Sequence, residues 1–320
     1  MGKRNRQNNP KSARKNDPGK YDFVKLGTPF AILSLLVVLT SLVLIATKGF
    51  NYGIDFAGGT EVQVQFNQQV EAGQVRHFAD NMGYTKASIQ SFGEDNEYLI
   101  RLESVKGKTD KETNKLLKNL ISKLTEGLTA SFAAQGATIR RVDSVGPQVG
   151  AELKRNGVLA AFYCLLLILI YIGLRFDYKY APGAVFCLFH DSIVTLGIFS
   201  FFAREVNVQT MAAILTIIGY SLNDTIVNFD RIRENEGLYR DENFSWIVNR
   251  SVNDVLSRTV LTSVTTLLAI GAMYFIAGAV IKDFAFTLGI GILVGTYSSI
   301  YVANPLVILM ENILNKKKVI

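Results

Sequence analysis

The sequence predicts a polytopic α-helical membrane protein of six transmembrane helices, with a βαββαβ ferredoxin-like domain between the first and the second. Three observations predict this class. Six apolar stretches, near 26–47, 158–174, 180–202, 208–229, 260–281 and 284–310, have the length of about 20 residues that crosses a hydrocarbon core. Residues 52–150 instead alternate between the two-residue period of strands and the 3.6-residue period of helices. The mean hydropathy of +0.22 is modest for a membrane protein, as a sizeable polar insert requires.

The elements follow in order. Residues 1–25 form a basic cytoplasmic tail, with eight Lys/Arg against Asp17 and Asp22. Beside a first transmembrane helix such a tail reads as a positive-inside signal with affinity for anionic membrane lipid or the ribosome, not as a nucleic-acid-binding arm. The span 26–47 is too long for the apolar region of a signal peptide. Ile45-Ala46-Thr47-Lys48 has no small-x-small cleavage site, so the span is expected to remain as an anchor.

Residues 48–157 form the domain outside the cytoplasm, nearly neutral with 14 basic and 13 acidic residues over 48–156. Thr60–Phe66 alternates apolar and polar as a strand. Val70–Met82 has helical spacing and stops at Gly83, which suits the C′ position. Ala87–Phe92 and Tyr98–Glu103 read as strands of a hairpin around Gly93-Glu94-Asp95-Asn96. Asp110–Ala134 carries Leu116, Leu117, Leu120, Ile121, Leu124 and Leu128 at helical spacing, and Ala137–Val145 is the last strand. This order is that of the split ferredoxin-like fold. His77, on an amphipathic helix, is expected at the surface. Gly58 and Gly59 lack the helix and Lys-Ser/Thr of a phosphate cradle, so they read as a structural turn at the membrane exit.

Residues 158–311 hold spans two to six. Between spans four and five, Phe244, Ile247, Val248, Val252 and Val255 predict an amphipathic cytoplasmic segment, 241–257, lying on the membrane surface. Residues 312–320 form a second basic cytoplasmic tail that includes Lys316-Lys317-Lys318. Arg175, Lys179, Arg231, Arg233, Arg240 and Arg250 then fall inside, and only Arg204 and Lys282 lie in short outer loops. Lys154 and Arg155 break the pattern but flank a long translocated domain, where the rule weakens. Both termini are therefore expected in the cytoplasm. Cys164 and Cys187 fall in spans, implying neither disulfide nor metal framework, and Trp246 suggests no catalytic role.

The residue that points to function is Asp224, inside the fourth span. A charge at that depth costs about 2.5 to 17 kcal/mol, so it needs a protein interior, a partner or a proton. Thr216, Tyr220, Asn223 and Asp224 form a polar stripe on the fourth span. Arg258, Thr262, Thr265 and Thr266 form one at i, i+4, i+7 and i+8 on the fifth. Facing each other, they would give Asp224 hydroxyls, an amide and a guanidinium. Desolvation favours the protonated carboxyl and a guanidinium the charged one, so a changing separation would switch Asp224 between holding and releasing a proton. Asp191 in the third span, next to His190 and on a face with Thr195, reads either as a second path residue or as a structural hydrogen bond to a neighbouring helix. Asp230 with Arg231 and Arg233 reads as a solvated ion cluster. Gly291 and Gly295 make a small-xxx-small pair, with Gly271, Gly278 and Gly289 nearby.

Three segments carry a family resemblance. They are Gly53-Ile-Asp-Phe-Ala-Gly-Gly-Thr60, Val145-Gly-Pro-Gln-Val-Gly-Ala-Glu-Leu153 and Gly219-Tyr-Ser-Leu-Asn-Asp-Thr-Ile-Val-Asn-Phe-Asp-Arg-Ile-Arg-Glu-Asn235. They resemble the signature motifs of the SecF family, the SecD/SecF group of the RND superfamily, from about residue 21 to the C-terminus. Gly58, Gly59, Gly146, Pro147, Gly219, Asn223, Asp230 and Arg231 are the motif residues. The resemblance implies a six-helix RND-type half with a periplasmic domain, in the bacterial inner membrane. It implies an accessory, non-enzymatic subunit of the Sec translocase that pairs with SecD, and often YajC, around the SecYEG channel. Such a subunit uses proton-motive force to promote export of unfolded polypeptide. The resemblance assigns the proton path to Asp224, with Arg258 as its partner; Asp191 and Thr262 are further candidates. No cofactor is implied beyond the coupling ion, a proton or, by the chemistry of a carboxylate among hydroxyls, sodium. Two other readings of the residues stay open: an RND-type small-molecule half-transporter, and an intramembrane aspartyl protease using Asp191 and Asp224. The latter lacks the Gly-x-Gly-Asp motif, having Ser-Leu-Asn before Asp224.

Overall fold

The computed structural model describes residues 17–91, 96–103, 105, 107–277 and 279–318. Residues 1–16 of the predicted basic tail, Phe92 and Gly93–Asp95 of the predicted hairpin, and Gly278 lie outside them.

Among the described residues, six helical spans are long and apolar enough to cross a membrane. In chain order the helices and strands are α1 (Phe23–Lys48), β1 (Asn51–Tyr52), α2 (Ile54–Ala57), β2 (Gly59–Gln65), α3 (Ala72–Asn81), β3 (Ser88–Ser91), β4 (Glu97–Leu102), α4 (Asp110–Ser131) and β5 (Thr138–Val145). Then come α5 (Pro147–Arg175), α6 (Ala181–Phe201), β6 (Glu205–Val206), α7 (Val208–Leu238), α8 (Phe244–Ile276), α9 (Ala279–Tyr301) and α10 (Ala303–Lys318). The most buried of the spans are α6 and α7, whereas α1, α5 and α8 keep most of their apolar surface outward, as lipid-facing helices do. Small residues set the crossings. A Cβ on Gly291 of α9 would collide with the Ile217 side chain of α7, and one on Gly295 would sit 3.1 Å from Ser221. The small-xxx-small pair thus packs α9 against α7. Gly271 has open space around it and plays no such part.

The inserted domain is a four-stranded antiparallel sheet in the order β3-β4-β2-β5. With α3 and α4 this is the predicted βαββαβ arrangement, its first and third strands central. Alternation along the strands makes the two faces differ. Val62, Val64, Ile100 and Leu102 pack with Val75, Leu124 and Leu128 from the helices. Glu61, Gln63, Leu99 and Arg101 face the opposite way and line a cavity shared with Glu205, Asn207 and Asp283. Gly83 follows α3 with φ of +89°, the left-handed geometry of a C′ glycine, and its N–H donates to the Asp80 carbonyl at 2.9 Å.

Gly58 and Gly59 form the turn the sequence predicts. Their φ values are +71° and +138°, and a Cβ on Gly59 would lie 2.5 Å from the Leu102 carbonyl oxygen. Gly146 is the N-cap of α5 and Pro147 its first residue, where a missing N–H costs nothing.

Several boundaries differ from expectation. Helix α5 starts at Pro147, so its first turns belong to a stretch that the reading of 48–157 assigns to the domain. Helix α7 runs past residue 229 to Leu238. The predicted surface segment 241–257 and the fifth span are one helix, α8, ending at Ile276 instead of 281. No proline interrupts that stretch, and Ile247, Val248 and Val252 are buried against protein, which removes the reason to lie flat on lipid. The sixth span is divided at Val302 into α9 and α10.

Candidate ion site in the membrane helices

Helix α7 presents Asp224 to the interior, where it is 5% exposed. The carboxylate accepts no hydrogen bond among the described residues. It lines a cavity of about 10 Å³ with Asn228, Val252, Val255, Leu256, Thr259, Ser299 and Ile300. Arg258 on α8 acts on it electrostatically, but the two do not close into an ion pair. Arg258 itself is exposed.

The facing stripes meet at one point. The Tyr220 hydroxyl donates to the Thr262 carbonyl at 3.2 Å and lies 3.1 Å from Thr266 Oγ1. The Thr262 hydroxyl donates to carbonyls of its own helix, Arg258 and Thr259, both at 3.0 Å, so it is not a ligand to Asp224. Thr216 and Asn223 are exposed, as is Thr265. Asn223 precedes Asp224 directly and therefore lies about 100° round the helix. The amide beside Asp224 is that of Asn228, not the expected Asn223. Position i+4 shares a face with Asp224 by spacing alone, but an asparagine there attracts no notice without a neighbour to complete it.

Asp191 on α6 has the opposite surroundings. It is 1% exposed and accepts from His190 Nδ1 at 2.8 Å and from Ser298 Oγ of α9 at 2.8 Å, with Ser221 of α7 hydrogen-bonded to the same oxygen as Ser298. Three helices thus converge on it, in the way buried carboxylates are held. Ser221 and Ser298 do not stand out in the sequence, since serines in apolar helices read as packing residues. Thr195, on the Asp191 face, has no partner for its hydroxyl among the described residues. Asp191 and Asp224 do not hydrogen-bond to each other, unlike the carboxyls of an aspartyl-protease dyad.

At the C-terminal end of α7 an ion network reaches the surface. Asp230 pairs with Arg175 at 2.8 Å, and Arg231 with Asp254 at 2.6 Å and Glu234 at 2.7 Å. Gly219 has open space around it.

A second polar assembly joins the domain to the N-terminal end of α7. Strands β1 and β6 pair in parallel, and Gly53 N–H donates to the Val206 carbonyl at 2.9 Å. Arg101 of β4 binds Glu61 at 2.6 Å and also Glu205 of β6. Burial pushes the Glu61 carboxyl above its ordinary 4.5, against the opposing pull of Arg101. Burial pulls on Arg101 in the other direction, but hydrogen bonds to Glu205 and Glu61 outweigh it and hold the guanidinium above its ordinary value. These groups line a cavity of about 230 Å³.

Comparison with known proteins agrees with this architecture. Residues 125–313 match the family model of protein export membrane protein SecD/SecF, C-terminal, and residues 43–70 match that of the SecD/SecF GG motif. The chain is 43% identical over 290 residues to the protein translocase subunit SecF of Desulfurispirillum indicum, covering 89% of this chain and 90% of that protein. It is 39% identical over 290 residues to that of Pseudomonas aeruginosa, covering 91% of each. The crystal structure of SecDF, a translocon-associated membrane protein from Thermus thermophilus, superposes with a TM-score of 0.80 at 38% identity. That match covers 93% of this chain and 39% of SecDF, so the chain spans well under half of the longer protein. The six helices, the inserted domain and these matches together show a multi-pass inner-membrane protein with an RND-type fold, and the chain belongs to the SecF family of protein translocase subunits.

Proposed function

We propose that this chain is the accessory subunit that pairs with SecD at the SecYEG channel, with YajC, and couples an ion gradient to the export of unfolded polypeptide. Asp224 carries the coupling ion and Arg258 is its counter-charge. One observation supports this most: a carboxylate 5% exposed that accepts no hydrogen bond among the described residues, with a guanidinium acting on it from beyond ion-pair distance. Such a carboxylate has lone pairs free for a proton or a sodium ion. Moving one charge inward through 100 mV yields about 2.3 kcal/mol, enough to bias a helix rearrangement.

The need for SecD is supported by polarity at the wrong place. Asn223, Arg258 and Thr265 are exposed within the spans of this chain alone. Lipid is a poor neighbour for them, and a second half-bundle would cover them. Both termini lie in the cytoplasm and the domain lies in the periplasm, following the distribution of Lys and Arg among the loops. Asp191 supports the site by holding three helices together, and the Thr262 backbone carbonyl anchors Tyr220 of α7 to α8.

Reconstitution with SecD and the channel tests the proposal. Asp224→Asn is expected to assemble normally but to lose gradient-dependent stimulation of export. Separate pH and sodium gradients identify the ion. Full stimulation of the variant by either gradient would refute the role of Asp224.

A further inference from the structure

Two buried asparagines on the Asp224 face of α7 carry side-chain carbonyls for which the described protein has no donor. Asn228 lies four residues beyond Asp224 and is 4% exposed; Asn235 lies seven further and is 0% exposed. Neither Oδ1 has a hydrogen-bond partner among the described residues. Positions i, i+4 and i+11 fall within about 40° of one another around a helix, so all three residues share one stripe.

The surrounding bonds fix which end of each amide is which. Asn304 Nδ2 donates to the carbonyls of Ser299 at 3.3 Å and Ile300 at 2.9 Å. Its Oδ1 therefore faces Asn228, whose Nδ2 donates to it at 2.6 Å. Asn235 Nδ2 donates to Asp254 Oδ2 at 3.2 Å and to Ser251 Oγ at 2.9 Å, and that hydroxyl donates onward to the Ile247 carbonyl. Turning either amide over would set acceptor against acceptor. Both Oδ1 atoms are thus acceptors in want of a donor such as water, and leaving them bare is costly.

Their surroundings form a sequence. Asp224 and Asn228 line the same cavity of about 10 Å³, the room one water needs. Asn235 touches Asp254, whose partner Arg231 is about a third exposed and reaches the surface of the bundle. Ile232 lies between the two asparagines along α7, and it is fully buried, as are Val248 and nearly so Val252 of α8. Asp191, by contrast, has its oxygens occupied by His190, Ser221 and Ser298.

We propose that Asn228 and Asn235 are water-holding stations that relay the coupling proton between Asp224 and the C-terminal end of α7, with the Ile232 region as the closed gate between them. This rests on the role of Asp224 given above. Asn228 would orient the water that exchanges a proton with the Asp224 carboxyl. Asn235 would hold the water that exchanges with the surface network around Asp254.

The test is proton uptake into proteoliposomes holding the full chain with its SecD partner, driven by a fixed pH gradient. Asn228→Leu and Asn235→Leu, which remove the acceptor, are expected to slow uptake about tenfold or more, while Asn228→Ser and Asn235→Ser, which keep an acceptor and leave room for water, stay within about threefold of wild type. Equal behaviour of the Leu and Ser forms, whether both active or both lost, would overturn the proposal. If Asp224→Asn retains uptake, the underlying role of Asp224 fails. If Asp224→Asn loses uptake while both Leu forms match wild type, the relay alone fails. Should the Leu forms not fold, a high-resolution structure of the wild-type complex decides the matter. Ordered water at about 2.7–3.2 Å from both Oδ1 atoms is the expected result, and dry surroundings at both would overturn it.

Discussion

Asp55 adds a second cap to the helix that carries Asp224, beside its N-cap Asn207: its Oδ2 accepts the backbone N–H of Val208, the first residue of α7, at 3.0 Å. Asp55 belongs to the glycine-rich segment between the first membrane helix and the domain sheet. The same segment holds Val206 through Gly53, while Arg101 of the sheet holds Glu205. The glycine-rich segment and the sheet together tie the N-terminal end of α7 to the base of the inserted domain, which makes this contact a joint between them.

Removing the cap should loosen that joint. Asp55→Ala is expected to destabilise the chain by about 0.5–2 kcal/mol, the usual range for losing a side-chain cap. Hydrogen exchange should quicken in the first turn of α7 before it does elsewhere. Asp55→Asn, which keeps an acceptor oxygen, should lose less.

The Glu61–Arg101 pair predicts a pH dependence. Burial raises the folded-state value of Glu61 above its ordinary 4.5. An acid raised on folding contributes stability that is fully present below its unfolded value and is lost as pH rises through the folded one. Arg101 opposes that raise. Arg101→Met should therefore widen the window and steepen the loss of stability from pH 4.5 upward. Thermal unfolding across a pH series measures it, and a flat difference between variant and wild type would contradict this account of Glu61.

Gly59 should not tolerate a side chain. Its φ of +138° opposes any substitution, and so does the Leu102 carbonyl oxygen, 2.5 Å from where a Cβ would stand. Gly59→Ala is expected to cost about 1–3 kcal/mol, the range for a residue forced into a rare backbone region. Chemical denaturation of the purified chain provides the measurement.

The Asp191 network predicts a contrast with Asp224. Ser298→Ala removes one donor to a buried carboxylate and should cost about 1–3 kcal/mol of stability. Asp224→Asn removes no hydrogen bond among the described residues and should leave the unfolding midpoint in detergent nearly unchanged. A large loss of stability in Asp224→Asn would show that it is a structural residue.

Much of the fold is legible in the sequence because its determinants are local. Strand alternation at Thr60–Phe66, the leucine spacing of α4 and the C′ glycine at 83 depend on a few neighbours along the chain. Hydropathy locates the six spans because every bilayer-crossing segment must meet the same length requirement. Helix ends are less legible. A hydropathy window stops where polar residues begin, whereas a helix stops where its hydrogen bonds do, and so α7 and α8 overrun their apolar stretches.

Composition and period alone establish the span count, the βαββαβ order and the anomaly at Asp224. What each polar residue touches is a matter of packing. Packing gives Asp191 three donors from three helices, leaves Asp224 without one among the described residues, and puts Asn228 at the site in place of Asn223. The physical reason is that a helix face gains a meaning only from the helix packed against it. Small residues such as Gly291 and Gly295 set that register, and their effect lies in distances between atoms far apart along the chain.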